Sequence, residues 1–182
     1  MKPSLAIFLD IDGVLNSSRL FKRLRNTEST KEEIGFVTEI ANKYYPGFPL
    51  DALVNDLRSI DPICVGHLNQ IIGATEAQVV VSSSWRFSHP IIGLQKLLEY
   101  RGFKGLAHDI TPVNLGNDIR GYEIQAWLDL HSGVDRFVIL DDNKDMLHLR
   151  SHLVLTDKSV GLTRKDAKKA ISVLVPIGTG GA

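Results

Sequence analysis

A chain of 182 residues, 43% hydrophobic and 23% charged, is of ordinary globular composition and long enough to bury a core of its own, so one domain is expected. Its Lys and Arg balance its Asp and Glu at a formal net charge of zero, which excludes a global field for nucleic acid or anionic lipid; polyanion binding would need a local patch. A single cysteine, Cys64, excludes an internal disulfide, fits a reducing compartment and, among apolar neighbours, reads as an inert buried thiol.

Met1-Lys2-Pro3-Ser4 and the short apolar run after it do not resemble a secretory signal, and no stretch approaches the roughly 18 apolar residues of a membrane span. A cytoplasmic protein with no membrane partner is expected. Leu5-Ala6-Ile7-Phe8-Leu9 is apolar at every position, the mark of a central parallel strand buried on both faces. It stops abruptly at Asp10-Ile11-Asp12-Gly13-Val14-Leu15-Asn16. Alone, an Asp-x-Asp-Gly run is equally a solvated turn or a site. Two carboxylates so close repel each other unless a cation neutralises them, so the second reading implies a hard divalent metal such as Mg²⁺.

The segment 17–60 departs from the strand pattern. It opens on the basic run Arg19 to Arg25 and passes a polar stretch from Asn26 to Glu33. Apolar periodicity resumes at Ile34, Val37, Ile40 and Ala41, before the turn Tyr44-Tyr45-Pro46-Gly47-Phe48-Pro49. One or two helices and an aromatic turn are expected here, as a small helical cap inserted over the strand ends. Arg19, Lys22, Arg23 and Arg25 at helical spacing read first as a solvated helix face and, alternatively, as a patch for RNA or DNA phosphates.

From Pro62 the apolar positions Ile63, Val65, Leu68, Ile71 and Ile72 predict a helix with its cap at Gly73. A second strand follows in Ala77 to Val81 and runs straight into Ser82-Ser83-Ser84-Trp85-Arg86. Hydroxyls at that point lie beside the aspartate pair if the two strands are parallel neighbours, which places Ser82, with Ser83 next to it, to bind a phosphate. A helix from Ile91 to Tyr100 closes at Gly102, and the irregular stretch 103–117 is expected to carry a short strand and a loop. The helix begun by Arg120 shows Ile124, Trp127 and Leu128 on one face, with Trp127 read as core. Arg120 itself is a cation where the helix dipole disfavours one, a mild hint of function.

Arg136 to Leu140 is the third clear strand, and it too ends in acids, Asp141-Asp142-Asn143-Lys144-Asp145. Two neighbouring strands ending so would gather four carboxylates at one point, which requires a metal. A short strand Leu153 to Leu155, a helix through Ala167, Ala170, Ile171 and Leu174, and a glycine-rich tail 176–182, expected to be flexible, complete the chain. Zinc-type CxxC pairs, Walker and GxGxxG patterns are absent.

Taken together, DIDGVLN, VVVSSSWR, Arg120 and VILDDNKD in this order resemble the haloacid dehalogenase-like (HAD) hydrolase superfamily over nearly the whole chain. The finer pattern SSSWR, RGYEIQAWL, ILDD and TDKSVGLT resembles the small HAD branch found in multidomain RNA repair proteins. The resemblance implies an α/β fold: one domain over 1–182, with a three-layer Rossmann-like HAD core, a mostly parallel sheet and the cap at 17–60. It further implies a Mg²⁺-dependent phosphatase, a phosphoric monoester hydrolase, in which Asp10 is the nucleophile of an aspartyl-phosphate and Asp12 the general acid and then base. Mg²⁺ would be held by Asp10, the Asp12 backbone carbonyl and Asp142, with Asp141 beside it, while Ser82, Ser83 and Arg120 cradle the phosphoryl group. Arg120 departs from the lysine frequent in the family at that place. The open site left by a small cap, the basic run and the finer resemblance point to a nucleotide or nucleic-acid phosphate end as substrate. A phosphotransferase would share the machinery, and a non-catalytic nucleic-acid-binding HAD module is the alternative from another class. Four clustered acids argue against that module, and a dehalogenase would have no use for Asp12, Asp141 and Asp142.

Overall fold

Leu5–Leu9 forms strand β1 and is buried at every position, because side chains of both parities are covered by helices. The computed structural model describes residues 4–113 and 119–175; the tail expected at 176–182 and the end of the irregular 103–117 stretch lie outside them. Around β1 stand β2 (Gln78–Val81), β3 (Ala107–Ile110), β4 (Arg136–Asp141) and β5 (Leu153–Leu155), in the order β3-β2-β1-β4-β5, every pairing parallel. Successive strands run outward from β1 on one side, then cross to the other, so the chain reverses direction beside β1. At such a point the carboxyl ends of the strands open a crevice.

The pleat sorts the side chains into two cores. Ile7, Leu9, Val79, Val81, Val138 and Leu140 face one cluster, shared with α4 (Pro62–Thr75), α5 (Ile91–Tyr100) and α7 (Arg164–Leu174). Ala6, Phe8, Val80 and Ile139 face the other, under α6 (Arg120–Leu130) and a 3-10 helix, Leu147–His152. Trp127 packs edge-on against Phe8 there, which is the core role expected of it. Helix, sheet and helix make three layers.

Between β1 and α4 the chain forms three helices, α1 (Ser18–Leu24), α2 (Lys31–Tyr44) and α3 (Leu50–Ser59), one more than the most its pattern predicted. The polar stretch hides a start signal: Thr30 and Glu33 form a reciprocal capping box that opens α2. Val37, Ile40, Leu53 and Leu57 are buried in the same cluster as Ile7 and Leu9, so this segment shares the core of the sheet. Gly73 does not end α4 either. The helix runs on to Thr75, whose hydroxyl donates to the Ile71 carbonyl and accepts from the Ala77 N–H, and Glu76 takes the left-handed cap at φ 55°. Burial of Ile71 and Thr75 keeps that last turn wound past the glycine.

Candidate active site

Backbone register fixes the first fact about the site. Leu9 lies opposite both Val81 and Leu140, and the ladder continues one step, with Ser82 N–H donating to the Leu9 carbonyl and Asp10 N–H to that of Leu140. Asp10, Ser82 and Asp141 therefore leave the sheet side by side. Each is almost fully buried. After Asp10 the chain turns sharply through Gly13 at φ +71°, and a Cβ there would come within 2.5 Å of Asp142 Cγ. Glycine is what lets the Asp142 carboxylate lean in over the β1 turn. Thr156 ties the same turn down from β5, donating its hydroxyl to the Gly13 carbonyl at 2.9 Å.

Carboxylate oxygens of Asp10, Asp141 and Asp142 all lie within 4.8 Å of one another. Burial pushes the Asp141 carboxyl up to about 7, reinforced by the charge of Asp10, although the Asn143 N–H donates to it at 2.8 Å. Burial likewise raises Asp10, opposed mainly by the Arg120 guanidinium and a hydrogen bond from Ser83. Among the atoms left buried without a hydrogen-bond partner is Asp141 Oδ2. Three converging carboxylates, two of them buried and one with an orphaned oxygen, fit a hard divalent cation with oxygen ligands. The Asp12 side chain stands apart from this group. Its Oδ1 accepts from Asn16 Nδ2 at 2.7 Å and its Oδ2 from Trp85 Nε1 at 3.1 Å. Asn16 in turn accepts the Gly13 N–H at 2.9 Å, which closes the β1 turn on itself.

Opposite the acids lie donors. Ser82 Oγ and Arg120 Nη1 are both buried with no hydrogen-bond partner. Arg120 reaches toward Asp10, Asp141 and Glu123 at 4.0, 3.7 and 3.9 Å, inside ion-pair range of all three and in contact with none. Its unfavourable place at the start of α6 is offset by Asp145, whose carboxylate accepts the Arg120 N–H and whose carbonyl accepts that of Gly121. Gly121 permits the approach, since a Cβ would fall 2.7 Å from the Met146 carbonyl. Behind Arg120, Glu123 is paired with Arg86, a buried guanidinium that also donates to the Ser82 and Ser83 carbonyls at 2.9 and 2.6 Å. Arg86 thus locks the serine loop, and Glu123 joins that lock to Arg120. Sequence reasoning missed Arg86, Glu123, Asn16 and Trp85. A signal existed for Glu123, an acid one turn after Arg120 beside the apolar Ile124 and Trp127.

The basic run divides. Arg23 pairs with the wholly buried Asp61 at 3.1 Å, and Arg19 lies 3.9 Å from the same carboxylate, which also caps α4. Lys22 and Arg25 are exposed. Burial, with the Asp61 charge near it, pushes the Cys64 thiol up to about 11, so it is not a nucleophile at neutral pH. Among the described residues no helix is long and apolar enough to cross a membrane.

No curated protein matches the chain in sequence. A solved structure described as "Hydrolase, haloacid dehalogenase-like family protein SP0104 from Streptococcus pneumoniae" aligns with 93% of this chain and 91% of its own at 13% identity and a TM-score of 0.42. The family model described as "HAD domain in Swiss Army Knife RNA repair proteins" matches residues 6–167, a span that takes in both aspartate-tipped strands, the serine loop and Arg120. With nearly all of the described chain under that match, the protein belongs to this family of HAD domains.

Proposed function

We propose that the protein is a Mg²⁺-dependent phosphatase that works through an aspartyl-phosphate on Asp10, on a nucleotide or the phosphate end of a nucleic acid. The observation that carries this reading is a pair of buried, unpartnered polar atoms at the strand tips on either side of Asp10, Ser82 Oγ and Asp141 Oδ2, with the Arg120 guanidinium 4.0 Å from Asp10. Stranding both groups costs several kcal/mol in sum, at about 1–3 kcal/mol each, unless a ligand with both anionic oxygens and a cation completes them.

Asp10, Asp141 and Asp142, with the Asp12 backbone carbonyl, would hold the metal. Bound there, Mg²⁺ neutralises the carboxylates and the phosphate so that one anion can approach another. An Asp10 carboxylate oxygen attacks phosphorus, and the bond from phosphorus to the ester oxygen breaks. Asp12 gives its proton to the departing alkoxide and is left as a carboxylate. In the second step Asp12 takes a proton from water, the water oxygen bonds to phosphorus, and inorganic phosphate leaves with Asp10 restored. Ser82 and Arg120 donate to the equatorial oxygens, whose charge is greatest in the transition state, and Ser83 holds Asp10 in place.

For the substrate, the occurrence of this family's domain in RNA repair proteins and the exposed Lys22 and Arg25 support a nucleic-acid end; the helical segment 18–59 would be the cap that borders it. The test is a panel of mononucleotides and 3′- and 5′-phosphorylated oligonucleotides, assayed with Mg²⁺ and with EDTA. The reading expects phosphate release from the oligonucleotides or nucleotides that EDTA abolishes and Asp10→Asn removes. Salt-sensitive RNA binding with no hydrolysis across the panel would contradict it.

A further inference from the structure

Asp12 is exposed, and its chemistry, in the reading above, requires its carboxyl to stay at one place through two proton transfers of opposite direction. Packing does not hold an exposed carboxylate. What holds it is a pair of donors from two different parts of the chain, Asn16 on its own turn and Trp85 on the 3-10 helix Ser84–Phe87 that follows β2. An indole N–H donates and cannot accept, so Trp85 marks a fixed point to which only an acceptor oxygen can dock. Each Asp12 oxygen keeps a second lone pair for the proton it must carry.

The donor itself is held with care. The Trp85 ring stacks on His89, centroids 4.8 Å apart and planes 22° from parallel. His89 is 5% exposed and engaged at both nitrogens, Nδ1 at 3.1 Å from the Tyr45 hydroxyl and Nε2 at 3.4 Å from Asp56. Burial, with the Asp56 charge near it, pushes the Tyr45 phenol far up, so Tyr45 keeps its proton, and its hydroxyl and the Asp56 carboxylate hold the His89 ring from two sides. Tyr45 closes α2 and Asp56 lies on α3. A chain of contacts therefore runs from the inserted helices through His89 to the indole and ends on Asp12.

We propose that Trp85 is the positioning residue of Asp12: its indole N–H, braced by His89 against Tyr45 and Asp56, sets the carboxyl where the leaving group is protonated. The inference rests on the phosphatase reading, and on Asp12 being the acid in it. Trp85→Phe keeps an aromatic ring over His89 while removing the donor and part of the indole's bulk, and only the lost donor should tell between leaving groups. Its effect should be read in kcat/KM, which stops at the first irreversible step, transfer to Asp10, with two substrates of one phosphate. An alkyl phosphate needs a proton on its leaving oxygen; 2,4-dinitrophenyl phosphate does not.

The expected result is a loss at least about tenfold larger on the alkyl ester than on the dinitrophenyl ester, a difference that disappears in the Asp12→Ala background. In spectra of the ¹⁵N-labelled protein, the chain's two tryptophans give two indole signals, and Asp12→Ala should shift that of Trp85 while leaving Trp127, which donates to Asp109, in place. Equal losses on both esters, additive losses in the double variant, or an unmoved Trp85 signal would each overturn the inference while leaving the phosphatase reading intact. A wild-type protein that releases phosphate from neither ester and from no nucleotide or oligonucleotide of the panel above would overturn both.

Discussion

Arg120 is the residue on which the site's electrostatics turn. It is the cation nearest both buried acids, and it opposes the burial that raises Asp10 and Asp141. If Arg120 donates to the phosphoryl group as proposed, replacing it with alanine removes that hydrogen-bond donor and the positive charge together, and kcat/KM is expected to fall by about 10²–10³-fold on any phosphate ester. Glu123→Gln gives a subtler result. It keeps the size of the side chain that joins Arg86 to Arg120 but removes its charge, leaving the buried Arg86 and half-buried Arg120 guanidiniums sharing less compensation. Chemical denaturation should show a loss of about 1–3 kcal/mol, larger than the change from any exposed charge on α1. A stability unchanged by Glu123→Gln would mean that the Arg86 lock does not depend on it.

Among the elements, the strands were plain in the sequence and the helix limits were not. Unbroken apolar runs ending in Asp or Ser have one good home, the middle of a parallel sheet, so Leu5–Leu9, Gln78–Val81 and Arg136–Asp141 and the residues at their tips were legible. Asp10, Asp141, Asp142, Ser82 and Arg120 came from those tips and from one rule-breaking helix start. Arg86 and Asn16 were not, because their roles depend on where carbonyls and carboxylates fall after folding, which no spacing encodes. Local caps also overrode simple signals, as at Gly73, passed over by α4, and at Thr30, which opens α2. That second cap has a measurable consequence. Burial works against the Glu33 charge, but the Thr30 N–H and the Arg101 and Arg58 guanidiniums hold its carboxyl below the ordinary 4.5. A depressed folded value means that the stabilisation is fully present above about pH 4.5 and fades as pH falls through the folded value. Glu33→Ala should therefore cost about 1–3 kcal/mol near neutrality, and the gap to wild type should narrow in acid.

Across the whole molecule, the acids at the sheet edge set a balance between folding and ligand binding. The Asp141 carboxyl, raised to about 7, holds its proton in the folded metal-free protein at pH values where the unfolded chain has lost it. Its contribution to stability is present in acid and is lost as pH rises through about 7, the reverse of the Glu33 case. A divalent cation competes with that proton. Mg²⁺ is therefore expected to raise the melting temperature clearly at about pH 8 and little at about pH 5, and Asp141→Asn should remove most of the difference. An equal Mg²⁺ shift at both pH values would speak against binding at these carboxylates.

Transfer of the phosphoryl group to Asp10 is the step on which the proposed phosphatase chemistry stands. Its most direct test is to quench a reacting mixture in acid within the first turnover and to map the phosphoryl group by mass spectrometry. A single added phosphoryl on the peptide that carries Asp10, formed with Mg²⁺, absent with EDTA and absent in Asp10→Asn, is the predicted result. Phosphate release that proceeds at the wild-type rate in Asp10→Asn, with no phosphorylated peptide, would contradict it.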